Sequence, residues 1–230
     1  MRLSHTSRAS GDSIIFSSRR PLFYYITDRR RLPANALVAC ARKAIHWGVD
    51  FIQIREKDLD DGALFRLTCR ILELARETRC RVLVNGRADI ALAAGAHGVH
   101  LPSTGLRASD VRAWVPQNFL VGVSVHTMPE MRRACAQGAD YLLVGHIFPT
   151  DSKLGYGPAL GLPYLEKACS SAALPVLGLG GVKPDRIQSV LDTGAAGIAS
   201  VSLFQDKAQF DQLKKTQVKP RPKGVAFKAP

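Results

Sequence analysis

The chain has 230 residues, of which 46% are hydrophobic and 22% are charged, and this composition excludes global disorder. No run reaches the 18 or more apolar residues of a membrane-spanning helix, so we expect no membrane partner. Lysine and arginine outnumber aspartate and glutamate by 32 to 19, but eight of the thirteen net positive charges lie in residues 1–20 and 205–230. The mildly basic remainder suits anionic small molecules better than nucleic acid.

The two ends are predicted to be separate from a single folded body. Residues 1–20 are rich in serine and arginine and are expected to form a disordered extension, with an organelle transit peptide as the alternative. Residues 216–230 carry prolines and basic residues and are expected to form a disordered basic tail, which leaves 21–215 as one domain. The five cysteines include no C-x-x-C pair, which favours free thiols and a cytoplasmic location.

Eight short, apolar, β-rich runs recur along the body of the chain. In chain order they are Phe23–Thr27, Phe51–Arg55, Arg81–Asn85, Gly98–Leu101, Leu120–Val125, Tyr141–Gly145, Pro175–Gly180 and Gly197–Ser202. Helical patterns lie between several of them, at Ala34–Trp47, Asp61–Thr78, Arg87–Ala94, Met128–Gln137 and Pro184–Thr193. A glycine follows most of these helices, as a left-handed cap would require.

This repeat of helix, glycine cap and buried strand predicts the α/β class and a compact (β/α)8 TIM barrel. A doubly wound open sheet is the alternative. Such a sheet would not usually need eight strands, and no G-x-G-x-x-G follows the first run.

Polar residues stand at the C-terminal end of nearly every predicted strand, where barrels of this kind build their sites. The candidate substrate-binding residues are Gln53, Arg55, Lys57, Asn85, Ser124, Thr150, Ser152 and Lys153. Arg55 could hold a carboxylate or phosphate with two parallel hydrogen bonds, and the lysines would add point charges. His100 lies inside the fourth run, where it is either a core histidine or a site residue.

A phosphate site is predicted at the ends of the last two strands. Gly180 and Gly181 follow the seventh run, and Val201 and Ser202 end the eighth. Backbone N–H groups of such a glycine turn can approach an anion closely because no Cβ intervenes.

On these residues the chain resembles the thiamine phosphate synthase/TenI family of (β/α)8 barrels, from about Leu22 to Phe204. The resemblance is carried by the motifs Gln53-Ile54-Arg55-Glu56-Lys57, Val82-Leu83-Val84-Asn85, Gly122-Val123-Ser124-Val125-His126, Gly145-His146-Ile147-Phe148-Pro149-Thr150 and Gly178-Leu179-Gly180-Gly181-Val182. It implies a phosphorylated thiazole as the partner molecule. The oligomeric state stays open, a homo-oligomer included.

The family has two chemistries, and one of them needs a metal. Thiamine phosphate synthases join a pyrimidine pyrophosphate to a thiazole phosphate, and they hold Mg²⁺ with an aspartate after the third-strand asparagine and another after the fourth strand. Here those positions are Gly86 and, near the second, Gly105. Neither has a side-chain ligand, so we expect no metal and no cofactor. Magnesium would be needed only if the chain is a synthase.

The other chemistry is that of TenI-type thiazole tautomerases, which the chain resembles at Asn85-Gly86-Arg87, Leu101-Pro102-Ser103 and Ser124-Val125-His126. That resemblance implies isomerisation of a carboxylated thiazoline phosphate to the aromatic thiazole, with His126 as the catalytic acid and base. A thiazole tautomerase is therefore the main prediction. A synthase is the alternative, because Gln53, Lys57 and the Thr150–Lys153 segment match it equally well. A non-catalytic thiazole phosphate-binding barrel is a third.

Overall fold

The computed structural model describes residue 16 and residues 20–150 and 157–220. Eight parallel strands form a closed barrel in chain order, with the last strand hydrogen-bonded to the first. The strands are β1 (Leu22–Ile26), β2 (Phe51–Ile54), β3 (Arg81–Asn85), β4 (Gly98–Leu101), β5 (Leu120–Val125), β6 (Tyr141–Gly145), β7 (Val176–Leu179) and β8 (Gly197–Ser200). The prediction of a compact (β/α)8 TIM barrel is confirmed, and the open doubly wound sheet is wrong.

Helices connect the strands on the outside of the barrel. They are α1 (Leu37–Trp47), α2 (Asp61–Ala75), α3 (Ala88–Ala93), α4 (Ala108–Arg112), α5 (Met128–Ala136), α6 (Gly161–Ser171), α7 (Ile187–Asp192), α8 (Ser202–Gln205) and α9 (Lys207–Lys215). Short 3-10 turns stand at Arg29–Arg31 and Pro184–Arg186. The sequence patterns did not mark α4, α6 or α9.

Local chemistry sets the ends of several helices. The Asp60 carboxylate accepts a hydrogen bond from the Ala63 amide at 2.7 Å and so caps the start of α2. Thr127 and Glu130 form a reciprocal capping box at the start of α5. Gly48 ends α1 with φ at +101°, a left-handed conformation that costs residues with a side chain about 1–2 kcal/mol.

The apolar core has two layers. One lies between the strands and the outer helices, and the other fills the barrel interior. In the interior, the Phe16 ring stacks against Phe51 and Tyr141 with centroid separations of 5.7 and 5.9 Å. Because Phe51 and Tyr141 begin their strands, this aromatic cluster occupies the N-terminal end of the barrel. Gly122 on β5 makes room for it, since a Cβ there would overlap the Tyr141 ring.

The described parts of the two ends contact the barrel. Phe16 is buried in the interior, and the Arg20 guanidinium pairs with the buried Asp50 carboxylate. At the other end, Val218 packs on the core and the Lys219 amide donates to Gln188 Oε1 at 3.0 Å. The rest of the predicted extension, and the tail from residue 221, lie outside the described residues.

Across residues 20–150 and 157–220, no helix has both the length and the apolar character needed to cross a bilayer.

Candidate active site

The C-terminal end of the barrel brings together Gln53 of β2 and Asn85 of β3. Gln53 Nε2 donates to Asn85 Oδ1 at 3.1 Å, and the Gln53 side chain is only 1% exposed. Its Oε1 atom is buried with no hydrogen-bond partner. A buried acceptor left unpaired costs about 1–3 kcal/mol, so this oxygen is suited to receive a donor from a bound molecule or a water.

The residues that follow β2 alternate between two environments. Glu56 is buried and accepts hydrogen bonds from the Arg29 amide at 3.0 and 3.2 Å. Burial raises the pKa of Glu56, and its carboxyl group fixes the loop after β1 rather than facing a ligand. Arg55 is half-buried and Lys57 is exposed. Both are therefore accessible to an anionic group.

His100 on β4 is buried, and it contacts the predicted site residue Ser124. Its Nε2 lies 2.8 Å from Ser124 Oγ, and its Nδ1 lies 3.2 Å from Tyr141 Oη. Burial, helped by the Arg55 guanidinium, lowers the pKa of His100 to about 3. The imidazole is therefore neutral near pH 7.

His126 follows β5, and its surroundings fix one tautomer. Its Nδ1 contacts the Gly145 carbonyl oxygen, which can only accept, so Nδ1 carries the proton. The His126 amide donates to Glu130 Oε2 at 2.7 Å, and its carbonyl accepts from Tyr164 Oη at 3.2 Å. In the neutral ring Nε2 is then an acceptor, and the described residues place no hydrogen-bond partner on it. His126 can thus take up a proton through Nε2.

The predicted phosphate loop is a pair of left-handed glycines. Gly180 and Gly181 have φ of +94° and +65°. A Cβ on Gly181 would lie 2.7 Å from Phe148 Cβ and 2.7 Å from the carbonyl oxygens of Phe148 and Pro149. No larger residue fits there without moving the backbone of the loop after β6.

The end of β8 lies beside this glycine turn, because Leu179 of β7 pairs with Ala199 of β8. Val201 and Ser202 come directly after β8, at the start of α8. The Leu203 amide donates to Ser200 Oγ at 3.2 Å. The structure therefore brings all of the predicted phosphate-binding residues to one edge of the barrel mouth.

The magnesium site that the synthase resemblance implies does not fit the residues present. Gly86 and Gly105 offer no carboxylate, and Asp89, three residues after Gly86 in the chain, is paired with Arg87 at 2.7 Å. Arg87 also pairs with Asp61. Within the described ranges, no group of three or more histidine, cysteine, aspartate or glutamate side chains is placed to hold a metal.

The other predicted site residues divide into two groups. Thr150 lies at the end of the described segment that follows β6 and is half-buried, whereas Ser152 and Lys153 lie outside the described residues. Sequence reasoning missed Tyr141 and Arg186, which sit behind the site. Arg186 donates to the Gly181 carbonyl, a link that no local motif signals.

Comparison with known proteins decides the family. A family model described as "Thiamine monophosphate synthase" matches residues 23–204. The chain belongs to the thiamine monophosphate synthase family.

Relatives and solved structures agree with this family. A putative thiamine-phosphate synthase of Geobacter sulfurreducens is 40% identical over 179 residues, which cover 78% of this chain and 84% of the relative. A thiamine-phosphate synthase of Roseiflexus castenholzii is 38% identical over 189 residues, covering 82% and 83%. The structure of thiamine phosphate pyrophosphorylase from Pyrococcus furiosus superposes with a TM-score of 0.75 at 33% identity, covering 85% of this chain and 94% of that one.

Proposed function

We propose that this chain is a thiamine-biosynthesis enzyme, a thiazole tautomerase, that binds a carboxylated thiazoline phosphate at the barrel mouth and isomerises it to the aromatic thiazole phosphate by proton transfer. The observation that carries the proposal is a pairing of features. The positions that would hold metal carboxylates are Gly86 and Gly105, while His126 keeps an imidazole nitrogen available as a base. Family membership supports the substrate class.

The binding residues divide between two anionic groups of the substrate. The phosphate would lie against Gly180, Gly181, Val201 and Ser202, whose backbone amides can approach an anion closely. Arg55 and Lys57 would face the carboxylate, and Lys153 would add a point charge to that group.

The proton transfer needs one group that works in both directions. His126 Nε2 would remove a proton from the thiazoline ring, and the exocyclic double bond would shift into the ring as it becomes aromatic. The same proton would then return to the exocyclic carbon. No electrons or co-reactants are required, so acid–base catalysis worth about 10²–10⁴-fold is the main contribution expected of this residue.

A thiamine-phosphate synthase is the second candidate, and the names of the relatives favour it. The unpaired Gln53 Oε1 would also suit a second, donor-bearing substrate. Against it stands the lack of carboxylates at Gly86 and Gly105, which leaves the divalent cation of that reaction without the ligands that the resemblance implies.

One pair of assays separates these candidates. Purified protein is incubated with carboxylated thiazoline phosphate, and separately with hydroxymethylpyrimidine pyrophosphate plus thiazole phosphate, each with Mg²⁺ and with EDTA. We expect isomerisation that EDTA leaves unchanged. Magnesium-dependent pyrophosphate release without isomerisation would establish the synthase, and thiazole phosphate binding without turnover in either assay would establish a non-catalytic barrel.

The role of His126 is tested by His126→Asn, with His46→Asn as the matched control on the exposed surface of α1. We expect a loss of about 10²–10⁴-fold in the isomerisation rate for the first variant and none for the second. Equal rates for the two variants would remove His126 from the mechanism.

A further inference from the structure

A continuous set of hydrogen bonds runs through the barrel interior to the candidate site. Tyr24 Oη lies 3.0 Å from Tyr141 Oη, and Tyr141 Oη lies 3.2 Å from His100 Nδ1. His100 Nε2 then lies 2.8 Å from Ser124 Oγ. We call these four side chains the buried polar chain. Ser124 stands next to the last residue of β5, so this chain ends at the barrel mouth.

Most of the buried polar chain is isolated from solvent. Tyr24 is 0% exposed, and Tyr141 and His100 are each 1% exposed. The two tyrosine rings pack with Phe16 and Phe51 in the interior aromatic cluster. Water therefore cannot satisfy a hydroxyl proton that the protein leaves unpaired, and such a proton would cost about 1–3 kcal/mol.

His100 makes the buried polar chain directional. A neutral imidazole has one nitrogen that donates and one that accepts, so its two contacts must point in opposite senses. In one sense, Tyr141 donates to Nδ1 and Nε2 donates to Ser124. In the other, Ser124 donates to Nε2 and Nδ1 donates to Tyr141.

Counting protons selects the first sense. If the hydrogen bonds run from Tyr24 towards Ser124, every buried hydroxyl proton has an acceptor. If they run from Ser124 towards Tyr24, the Tyr24 hydroxyl proton has none, because within the described part of the chain Tyr141 is the hydrogen-bond partner of that hydroxyl. The first sense is therefore favoured by the cost of that orphaned proton.

We propose that the buried polar chain holds Ser124 as a hydrogen-bond acceptor towards His100, so that the Ser124 hydroxyl donates its proton to an acceptor atom of the bound substrate. Tyr141 and His100 are then positioning residues, acting through Ser124. The acceptor would be a ring nitrogen or an oxygen of a carboxylate or phosphate group, and a ligand without an acceptor at this point would leave the Ser124 proton unpaired. Only the assignment of that acceptor to a thiazole phosphate rests on the proposed function.

The direction of the hydrogen bonds in the buried polar chain can be measured in the absence of substrate. Imidazole ¹⁵N shifts of the protein labelled with ¹⁵N-histidine, assigned by comparison with His100→Gln, report which nitrogen carries the proton. We expect His100 to be protonated on Nε2 in the natural chain. Protonation on Nδ1 would overturn the proposal.

Two matched variants distinguish the direction of the hydrogen bonds in the buried polar chain from a purely structural contribution of the two tyrosines. Tyr141→Phe and Tyr24→Phe each remove one hydroxyl from the same aromatic cluster. After Tyr24→Phe, Tyr141 keeps its proton and still donates to His100, so protonation on Nε2 should persist. After Tyr141→Phe, Nδ1 has neither a donor nor an acceptor opposite it, so neither tautomer is fully satisfied and we expect a mixture of the Nε2- and Nδ1-protonated forms. The same spectrum in both variants would show a merely structural role.

The consequence for the ligand is measured by titrating thiazole phosphate into the same proteins. We expect binding to weaken about 3- to 10-fold in Tyr141→Phe and in Ser124→Ala, with no further loss when the two are combined. Tyr24→Phe should bind as the natural chain does. Losses that add in the double variant would overturn the link between Tyr141 and Ser124. If the natural chain does not bind thiazole phosphate at all, the proposed function fails, while the ¹⁵N spectra still decide the direction.

Discussion

Arg186 Nη1 donates a hydrogen bond to the Gly181 carbonyl oxygen at 3.3 Å. The same guanidinium lies 4.8 Å above the centre of the Phe148 ring, so Arg186 joins the glycine turn after β7 to the loop after β6. The predicted phosphate site is therefore held in place by a residue that need not touch the phosphate.

Removing this support should weaken phosphate binding. We expect Arg186→Ala to raise the dissociation constant for thiazole phosphate several-fold, because a cation over an aromatic face and a hydrogen bond are each worth about 0.5–1.5 kcal/mol. The dissociation constant of Arg186→Lys should lie between those of the natural chain and Arg186→Ala, because lysine keeps the charge but lacks the planar guanidinium. Calorimetric titration measures the effect, and identical affinities for all three proteins would contradict it.

The glycine at 181 should be required for a steric reason. With φ at +65° and a Cβ position only 2.7 Å from Phe148 Cβ, Gly181→Ala combines left-handed strain with overlap. Gly95→Ala is the matched control, because Gly95 has φ at +73° and no atom within 4 Å of its Cβ position. We expect the control to lose about 1–2 kcal/mol of unfolding free energy and Gly181→Ala to lose at least about 1 kcal/mol more. Urea denaturation measures the unfolding free energies of the two variants. Equal losses would show that the loop after β6 moves aside without an energetic cost.

A carboxylate can be introduced at Gly86 more easily than at Gly105. A Cβ on Gly86 would have Pro102 Cδ as its nearest neighbour at 3.8 Å, whereas on Gly105 it would lie 3.0 Å from Pro102 Cγ and 3.2 Å from the Pro102 carbonyl oxygen. We expect Gly86→Asp to fold with a loss of about 1–2 kcal/mol from its φ of +70°, and Gly105→Asp to shift its loop.

Thermal unfolding with Gly86→Asn as the uncharged control tests this comparison. The asparagine variant should match Gly86→Asp, because both have the same backbone strain. A Gly105→Asp variant as stable as the natural chain would show that the Pro102 segment moves without cost.

The stability of the fold should depend on pH through His100. Its folded pKa is lowered to about 3, and its unfolded pKa is about 6.5, so the unfolded chain binds the extra proton between these values. The contribution of neutral His100 is complete above about pH 6.5 and is lost as the pH falls, by about 1.4 kcal/mol per pH unit. His100→Gln lacks this titration. The stability difference between the two proteins in urea should therefore shrink from pH 7 to pH 5, and parallel curves would refute the expectation.

Much of the fold could be predicted from the sequence because strands and caps are local signals. Arg81–Asn85, Gly98–Leu101, Leu120–Val125 and Tyr141–Gly145 were predicted at their observed bounds. Helix α6 was missed because its first turn holds Gly161 and Pro163 and no side chain caps it. Helix α4 has five residues, too few to display a helical period.

Site residues could be predicted from the sequence only where they belong to a local motif. Gln53 lies near the end of one recognisable strand and Asn85 ends the next, and the parallel barrel then brings them together. The contact between Tyr24 and Tyr141 joins residues 117 positions apart, and both tyrosines read as ordinary apolar strand residues. His100 was left open between core and site, and it contacts the buried Tyr141 on one side and Ser124 on the other.

The absence of a side chain at Gly122 has a consequence for engineering. The Tyr141 ring occupies the room where a side chain at 122 would begin, so even alanine there would push the phenol away from His100. Attempts to stabilise this barrel by replacing strand glycines with better β-formers should therefore leave Gly122 unchanged. Displacing the Tyr141 ring would remove its hydrogen bond to His100, and Ser124 would lose the contact that orients its hydroxyl.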